Sequence, residues 1–274
     1  MKKKLLSGLM IGFASLALVA CGTSNSSGSS SSTNDQETNA EGTLYDKVME
    51  EGELLVGTEG TYPPFTFHDE TGKLTGFDVE IAEEVAKRLG VEAKFMETQW
   101  DAMFAGLDAE RFDMIANQVG IRPDREEKYL FSEPYISSAA VLVTGADSDV
   151  AAFEDIKGLN AAQSLTSNYR DIAEEYGAEI IGVEGLAQAI ELLAAGRVDV
   201  TINDKLSILD YQQKQPNAPI KIAAEAEDAS SSGLMFRKGS EELVEAVDKA
   251  LAEMKEDGTY EEISVKWFGE DVSK

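Results

Sequence analysis

The sequence predicts an α/β protein of two similar lobes that face each other across a ligand cleft. Three observations carry that expectation. Helix-like segments with apolar residues every three or four positions alternate with short apolar runs, the pattern of sheets covered by helices. The run Asp113–Ala116 stops abruptly at Asn117 and Gln118 and enters a loop carrying Arg125. That puts polar groups at a strand's carboxyl end, where open α/β sheets bind ligands. The third observation is a repeat: Leu107–Asn117 reads LDAERFDMIAN and Leu193–Asn203 reads LAAGRVDVTIN, with five residue types at matching offsets. Each copy closes a helix and opens a strand, and the second tip offers Asn203 and Asp204 where the first offers Asn117 and Gln118. Coincidence is the competing explanation, because helix–turn–strand units share small and apolar residues in any case.

A chain of 274 residues is long enough for two modest domains. With 51 acidic residues against 24 basic ones, nucleic acid is not an expected partner. Residues 1–20 read as a signal peptide: Lys2, Lys3 and Lys4 precede an apolar stretch, Leu5–Val19, too short for a comfortable permanent span. Leu18-Val19-Ala20-Cys21 resembles the bacterial lipobox, which implies lipidation at Cys21 and a membrane anchor of acyl chains. Residues 21–42 then form a flexible tether, since Gly22–Asn34 holds only Gly, Ser, Thr and Asn.

The folded chain follows in order. Glu53–Thr58 reads as the first strand, ending in a loop with Glu59, Tyr62, Phe65 and two stiffening prolines. Tyr62 and Phe65 suit either a site or the packing beneath it. Thr71-Gly72 marks a hairpin turn. Phe77–Leu89 is an amphipathic helix stopped by Gly90, and Val91, Ala93 and Phe95 alternate as a strand. Trp100 opens the next helix, as a pocket wall or a core residue. Ser138–Thr144 reads as a first crossover between lobes. Thr166, Ser167 and Asn168 are N-cap types, and a helix N-terminus offers N–H groups to an anion, although capping alone explains them too. Helices follow at Gly185–Ala195 and Lys205–Gln213, around a strand at Val198–Ile202. Gly233–Arg237 reads as a second crossover. Ser240 is expected to cap the next helix, and Thr259 with Glu262 to form a capping box for the last. With both crossovers, lobe 1 is discontinuous (43–137 plus 232–274) and lobe 2 spans 138–231.

One histidine and one cysteine leave no usual nucleophilic triad and no His/Cys zinc site, so no metal and no cofactor is expected. No Walker-type or dinucleotide glycine pattern occurs. Recognition of a zwitterion is supported instead: Arg125 suits a carboxylate, the amides beside Thr166 can share it, and Asp204 suits an ammonium. A lone arginine of this kind is ordinarily a solvated surface charge; its position past a strand tip argues the other way.

The stretches GTYPPFTF, GFDVEIAEEVAKRLG, WDAMFAGLDAERFDMIANQV, FSEPY, QSLTSNY, NDK and KEDGTYEEISVKWFG together resemble the polar amino-acid substrate-binding proteins of ABC importers, the family 3 solute-binding proteins. The resemblance covers essentially residues 43–270. It implies a periplasmic-binding-protein-like fold, two α/β lobes joined by two hinge strands, that closes on one amino acid and docks as a monomer on a permease at the extracytoplasmic face. Carried over by position, Arg125 binds the α-carboxylate with Thr166 and Ser167, and Asp204 binds the α-ammonium. Tyr62 and Phe65 pack over the ligand, and Glu59 reaches its ammonium or side chain. Asn117-Gln118 stands where many members have two serines, and Gly120 replaces a hydroxyl residue. The run ANQV after QWDAM is similar to cystine-binding members, which implies L-cystine, with Asn117, Gln118 and Glu59 around its second head and Trp100 beside its disulfide. Glutamine or another polar amino acid is the alternative ligand. A cyclohexadienyl-dehydratase-like enzyme on the same fold is the alternative activity.

Overall fold

In the computed structural model, which describes residues 42–272, helix α1 (Leu44–Glu51) leads into strand β1 (Glu53–Thr58). The expected signal peptide, Cys21 and almost all of the expected tether lie outside the described residues. A small antiparallel sheet follows, of β2 (Thr61–Tyr62), β3 (Thr66–His68) and β4 (Leu74–Thr75), with the hairpin turn at Thr71-Gly72 as expected. Helix α2 (Phe77–Leu89) has the expected bounds, because Gly76 and Gly90 flank it and Gly90 takes the left-handed conformation that ends it, φ 81°. Its Phe77, Ile81, Ala82, Val85 and Ala86 are buried, one apolar stripe against the first sheet.

The first lobe continues with β5 (Glu92–Glu97), α3 (Trp100–Asp108), β6 (Met114–Ile115), α4 (Pro123–Glu126) and β7 (Tyr129–Phe131). The second lobe is built from β8 (Ile136–Gly145), β9 (Asn160–Gln163), α5 (Asn168–Glu175), β10 (Glu179–Gly182), α6 (Leu186–Ala194), β11 (Val200–Asp204), α7 (Lys205–Lys214) and β12 (Ile220–Ser232). The chain then returns to the first sheet as β13 (Met235–Arg237) and closes with α8 (Glu241–Asp257) and α9 (Thr259–Phe268).

The two larger sheets run β5-β1-β6-β13-β7 and β10-β9-β11-β8-β12. In the first, β1 pairs in parallel with β5 and β6; in the second, β9 pairs in parallel with β10 and β11. Each sheet is covered on both faces. Leu54, Val56 and Met114 meet α2 and α8 on one side of the first, while Met103, Leu107, Phe112 and Ile115 pack on the other. The second sheet divides its apolar residues between a cluster with Leu186, Ile190 and Ile208 and one with Phe153, Ala173 and Ile202. Two α/β lobes result, as the alternating pattern predicted.

Three local expectations are corrected. Gly233–Arg237 is not a crossover: β13 lies inside the first sheet, between β6 and β7, and the long strand beside β8 is β12, paired from Ile220↔Gly145 to Ser232↔Ile136. The run EAEDASSS hid that strand, because it is polar and mostly exposed. Ser240 precedes α8 without a side-chain cap, and α9 begins after left-handed Gly258 with Thr259 already helical, so the capping box fails there. A capping box does form at α1, where Thr43 and Asp46 exchange hydrogen bonds.

Candidate functional site

Sheet register builds the first wall. Gly57 pairs with Ile115, so Glu59 and Asn117, each two residues farther, leave their strands side by side. Asn117 is buried; its Oδ1 accepts from Glu59 N at 2.8 Å and its Nδ2 donates to Glu59 Oε2 at 2.7 Å. Burial pushes the Glu59 carboxyl up to about 7 despite the Asn117 bond. Gln118 is tied in the same way to Asp78, near the start of α2: its backbone N–H and its Nε2 donate to the two carboxylate oxygens at 2.8 and 2.7 Å. The hydroxyl of Tyr135 donates to Asp78 at 3.0 Å. Asp78 is fully buried, and burial raises its carboxyl to about 7 against these bonds. Sequence reasoning passed over Asp78; an acid set between Phe77 and Val79 at the start of α2 was the available signal.

The second wall rises from the carboxyl ends of β9 and β11. Asp204 caps α7, accepting from Leu206 N at 2.8 Å, and also bonds the side chains of Ser138 and Tyr169. Burial raises its carboxyl to about 6. Ser167 caps α5 by accepting from Tyr169 N at 3.1 Å. Asn203 accepts from the hydroxyl of Tyr62, in the first lobe, at 2.7 Å.

Between the walls is a cavity. Of the residues singled out in the sequence, Glu59, Tyr62, Trp100, Asn117, Gln118 and Ser167 line it. Asn203 and Asn168, which the sequence offered as a strand tip and a helix cap, line it as well, and so do Ser164, Tyr169, Gly185 and Leu186, which were not among the candidates. Phe65 is fully buried behind Tyr62, with ring centroids 5.2 Å apart, and packs on Phe268. Gly120, Arg125, Thr166 and Asp204 are not lining residues. Arg125 is buried, donates to Gly120 O at 3.0 Å and to Thr166 O at 3.3 Å, and lies over the rings of Phe104 and Trp100. Burial and the charge of Arg122 bring its guanidinium down to about 10, still protonated at neutral pH. Among the described residues, no carboxylate lies within ion-pair distance of Arg125, and no cation within that distance of Glu59, Asp78 or Asp204. No group of metal-ligating side chains occurs among the described residues.

The lobes also touch through other residues. The carboxylate of Asp101, in the first turn of α3, accepts from Leu165 N at 3.2 Å, Thr166 N at 3.0 Å and Thr166 Oγ1 at 2.7 Å. Arg122 pairs with Asp171 at 2.7 Å. In addition, Ser207 Oγ donates to Pro63 O, and the Lys214 ammonium sits 4.7 Å from the ring centre of Phe67. Thr166, a candidate carboxylate ligand, thus has its N–H and hydroxyl engaged by Asp101.

Residues 54–270 match the sequence pattern of the bacterial extracellular solute-binding proteins, family 3. The chain belongs to that family. It is 53% identical to "L-cystine-binding protein TcyA" of Bacillus subtilis (strain 168), over the full length of both chains. It is 49% identical to the L-cystine solute receptor of Neisseria gonorrhoeae in the unliganded open conformation, over 85% of this chain and 100% of that one, with a TM-score of 0.57. An ancestral arginine-binding protein bound to arginine, 37% identical over 80% of this chain and 99% of its own, superposes better, with a TM-score of 0.76. The sequence more alike fits less well, as expected when the same two lobes meet at a different angle; the hydrogen bonds across this cleft make the present form a closed one.

Proposed function

We propose that this protein is the extracytoplasmic substrate-binding component of an amino-acid ABC importer, a binder and not an enzyme, which captures L-cystine between its lobes and delivers it to the permease. One observation carries the reading: Glu59 lines the cavity, and a buried guanidinium without a carboxylate partner (Arg125, over Trp100) and two buried carboxylates without cations (Asp78 on Gln118, Asp204 on Tyr169) each contact a residue that lines it. Unpaired buried charges are costly, and a zwitterion between them relieves both signs at once. In this reading Arg125, with Ser167, takes a carboxylate, Asp204 takes the neighbouring ammonium, and Glu59 faces the second ammonium that cystine carries. Each charge-assisted bond contributes roughly 1.5–3 kcal/mol net, so three or four supply most of the ~8 kcal/mol of a micromolar complex. The likeness to TcyA supports cystine as the amino acid.

Closure brings residues 43–137 plus 232–274 onto 138–231, and ligand favours the closed form because only that form lets both lobes touch it. The module works as a monomer, held outside the membrane by lipid on Cys21. A thermal-shift screen of amino acids with calorimetry on the hits tests the reading. The expected result is the largest stabilisation by cystine, with at least tenfold weaker binding in Arg125→Ala and in Asp204→Ala. Stabilisation by glutamine with none by cystine would overturn the cystine assignment. Turnover of prephenate or arogenate would overturn the binder reading.

A further inference from the structure

Gln118 has φ 53°, the left-handed region that residues with side chains seldom enter. Asp78 holds it there, receiving the backbone N–H of Gln118 on one oxygen and its Nε2 on the other. The second hydrogen of Nε2 goes to the Tyr135 hydroxyl at 3.3 Å, and that hydroxyl itself donates to Asp78. Both Asp78 oxygens already accept, one from the Gln118 backbone N–H and one from the Tyr135 hydroxyl, so the nitrogen of the amide and not its oxygen faces them. Both amide hydrogens are thereby used, and Oε1 is the one uncommitted polar atom of a side chain that lines the cavity. Asn117 next to it is set the other way: its oxygen is taken by Glu59 N, and Nδ2 keeps one hydrogen after bonding Glu59.

We propose that Asp78 is a positioning residue that sets ligand specificity through Gln118, fixing its amide so that it offers the cavity an acceptor and never a donor, and so selects a ligand ammonium at that point. The proposal rests on the amino-acid-binding reading above. Freed from Asp78, the amide can turn over and present Nε2, which favours a carboxylate or carbonyl instead.

A mutant cycle read by calorimetry tests it. Gln118→Met removes the acceptor at similar length, and Asp78→Asn removes the constraint on amide orientation. Each is expected to weaken cystine binding at least tenfold, while the double variant binds within twofold of Gln118→Met alone, because Asp78 acts through Gln118. Asp78→Asn should also narrow the ratio of affinities between cystine and cystine acylated on one amino group, which a purely structural role would leave unchanged. Losses that multiply, an unchanged ratio, or wild-type binding by Gln118→Met would overturn the proposal. Should Asp78→Asn fail to fold, Tyr135→Phe replaces it: about a threefold loss that vanishes in the Gln118→Met background supports the proposal, and a loss that persists there sinks it. Failure of the wild-type chain to bind any amino acid would remove the parent reading instead, a result distinct from a multiplicative cycle.

Discussion

The units Leu107–Asn117 and Leu193–Asn203 make the same turn from helix to strand in opposite lobes. Ala109 N and Ala195 N each donate back into the helix at 3.0 Å, and Arg111 N and Arg197 N close matching bonds to Gly106 O and Leu192 O. Asp113 N donates to Leu55 O while Asp113 Oδ2 accepts from Leu55 N; Asp199 does the same with Asn160. Each aspartate therefore zips its strand onto a parallel neighbour. The surroundings differ. Asp113 is fully buried with Lys47 and Arg237 at 3.5 and 3.9 Å, whereas Asp199 is exposed. Phe112 is accommodated by Gly106 and Gly57, where a Cβ would lie 2.8 and 2.5 Å from its ring; the second copy has the smaller Val198 and Leu192 in the place of Gly106. A shared local device is thus loaded differently by each lobe, and only the tips, Asn117 on Glu59 and Asn203 on Tyr62, face the cavity.

The strongest test of that contrast is stability. Asp113→Ala is expected to cost about 3–5 kcal/mol, since it strips a buried cluster of its acid, and Asp199→Ala about 1 kcal/mol for its exposed contacts with Asn160. Denaturant titration that gives equal losses would break the comparison.

The acids beside the two tips also differ. Glu59 near 7 and Asp204 near 6 are both raised by burial, so the ligand-free folded form holds protons that the unfolded chain releases at ordinary carboxylate values. Raising pH through roughly 4–7 therefore destabilises the ligand-free protein. A ligand ammonium favours the ionised forms, so cystine affinity should rise with pH by up to about tenfold per unit for each of the two carboxyls and level off above 7. Glu59→Gln should remove the upper part of the rise; a flat profile in the wild-type chain between pH 5 and 7 would contradict the assignment.

A smaller effect concerns how the lobes hold each other. Asp101→Ala removes three hydrogen bonds across the cleft and is expected to speed ligand release about tenfold, with association nearly unchanged. Arg122→Ala, losing one exposed pair, should change release by less than about fivefold. Stopped-flow rates that reverse this order would show that Asp101 is not the main clasp. Least of all, Glu110 (φ 57°) and Gly196 (φ 65°) occupy the same left-handed position. Glu110→Gly should gain up to about 1 kcal/mol and Gly196→Ala lose about as much; thermal denaturation would separate the two signs.

What could be read from the chain alone was whatever depends on near neighbours. The bounds of α2, the hairpin at Thr71-Gly72 and the repeat itself follow from apolar spacing and glycines that permit a left-handed turn. Reading failed where a polar strand such as β12 draws its stability from pairing with β8, and where a cap competes with tertiary contacts, as at Thr259. The candidate site was half visible: six of its expected residues line the cavity, because strand tips end where sheets bind ligands. Burying Phe65 behind Tyr62, engaging Thr166 with Asp101, and bringing Asp78 under Gln118 across 40 positions of sequence were decided by the tertiary structure. Hydrogen-bond partners far apart in the chain are chosen by packing and sheet register, which no local pattern of residues encodes.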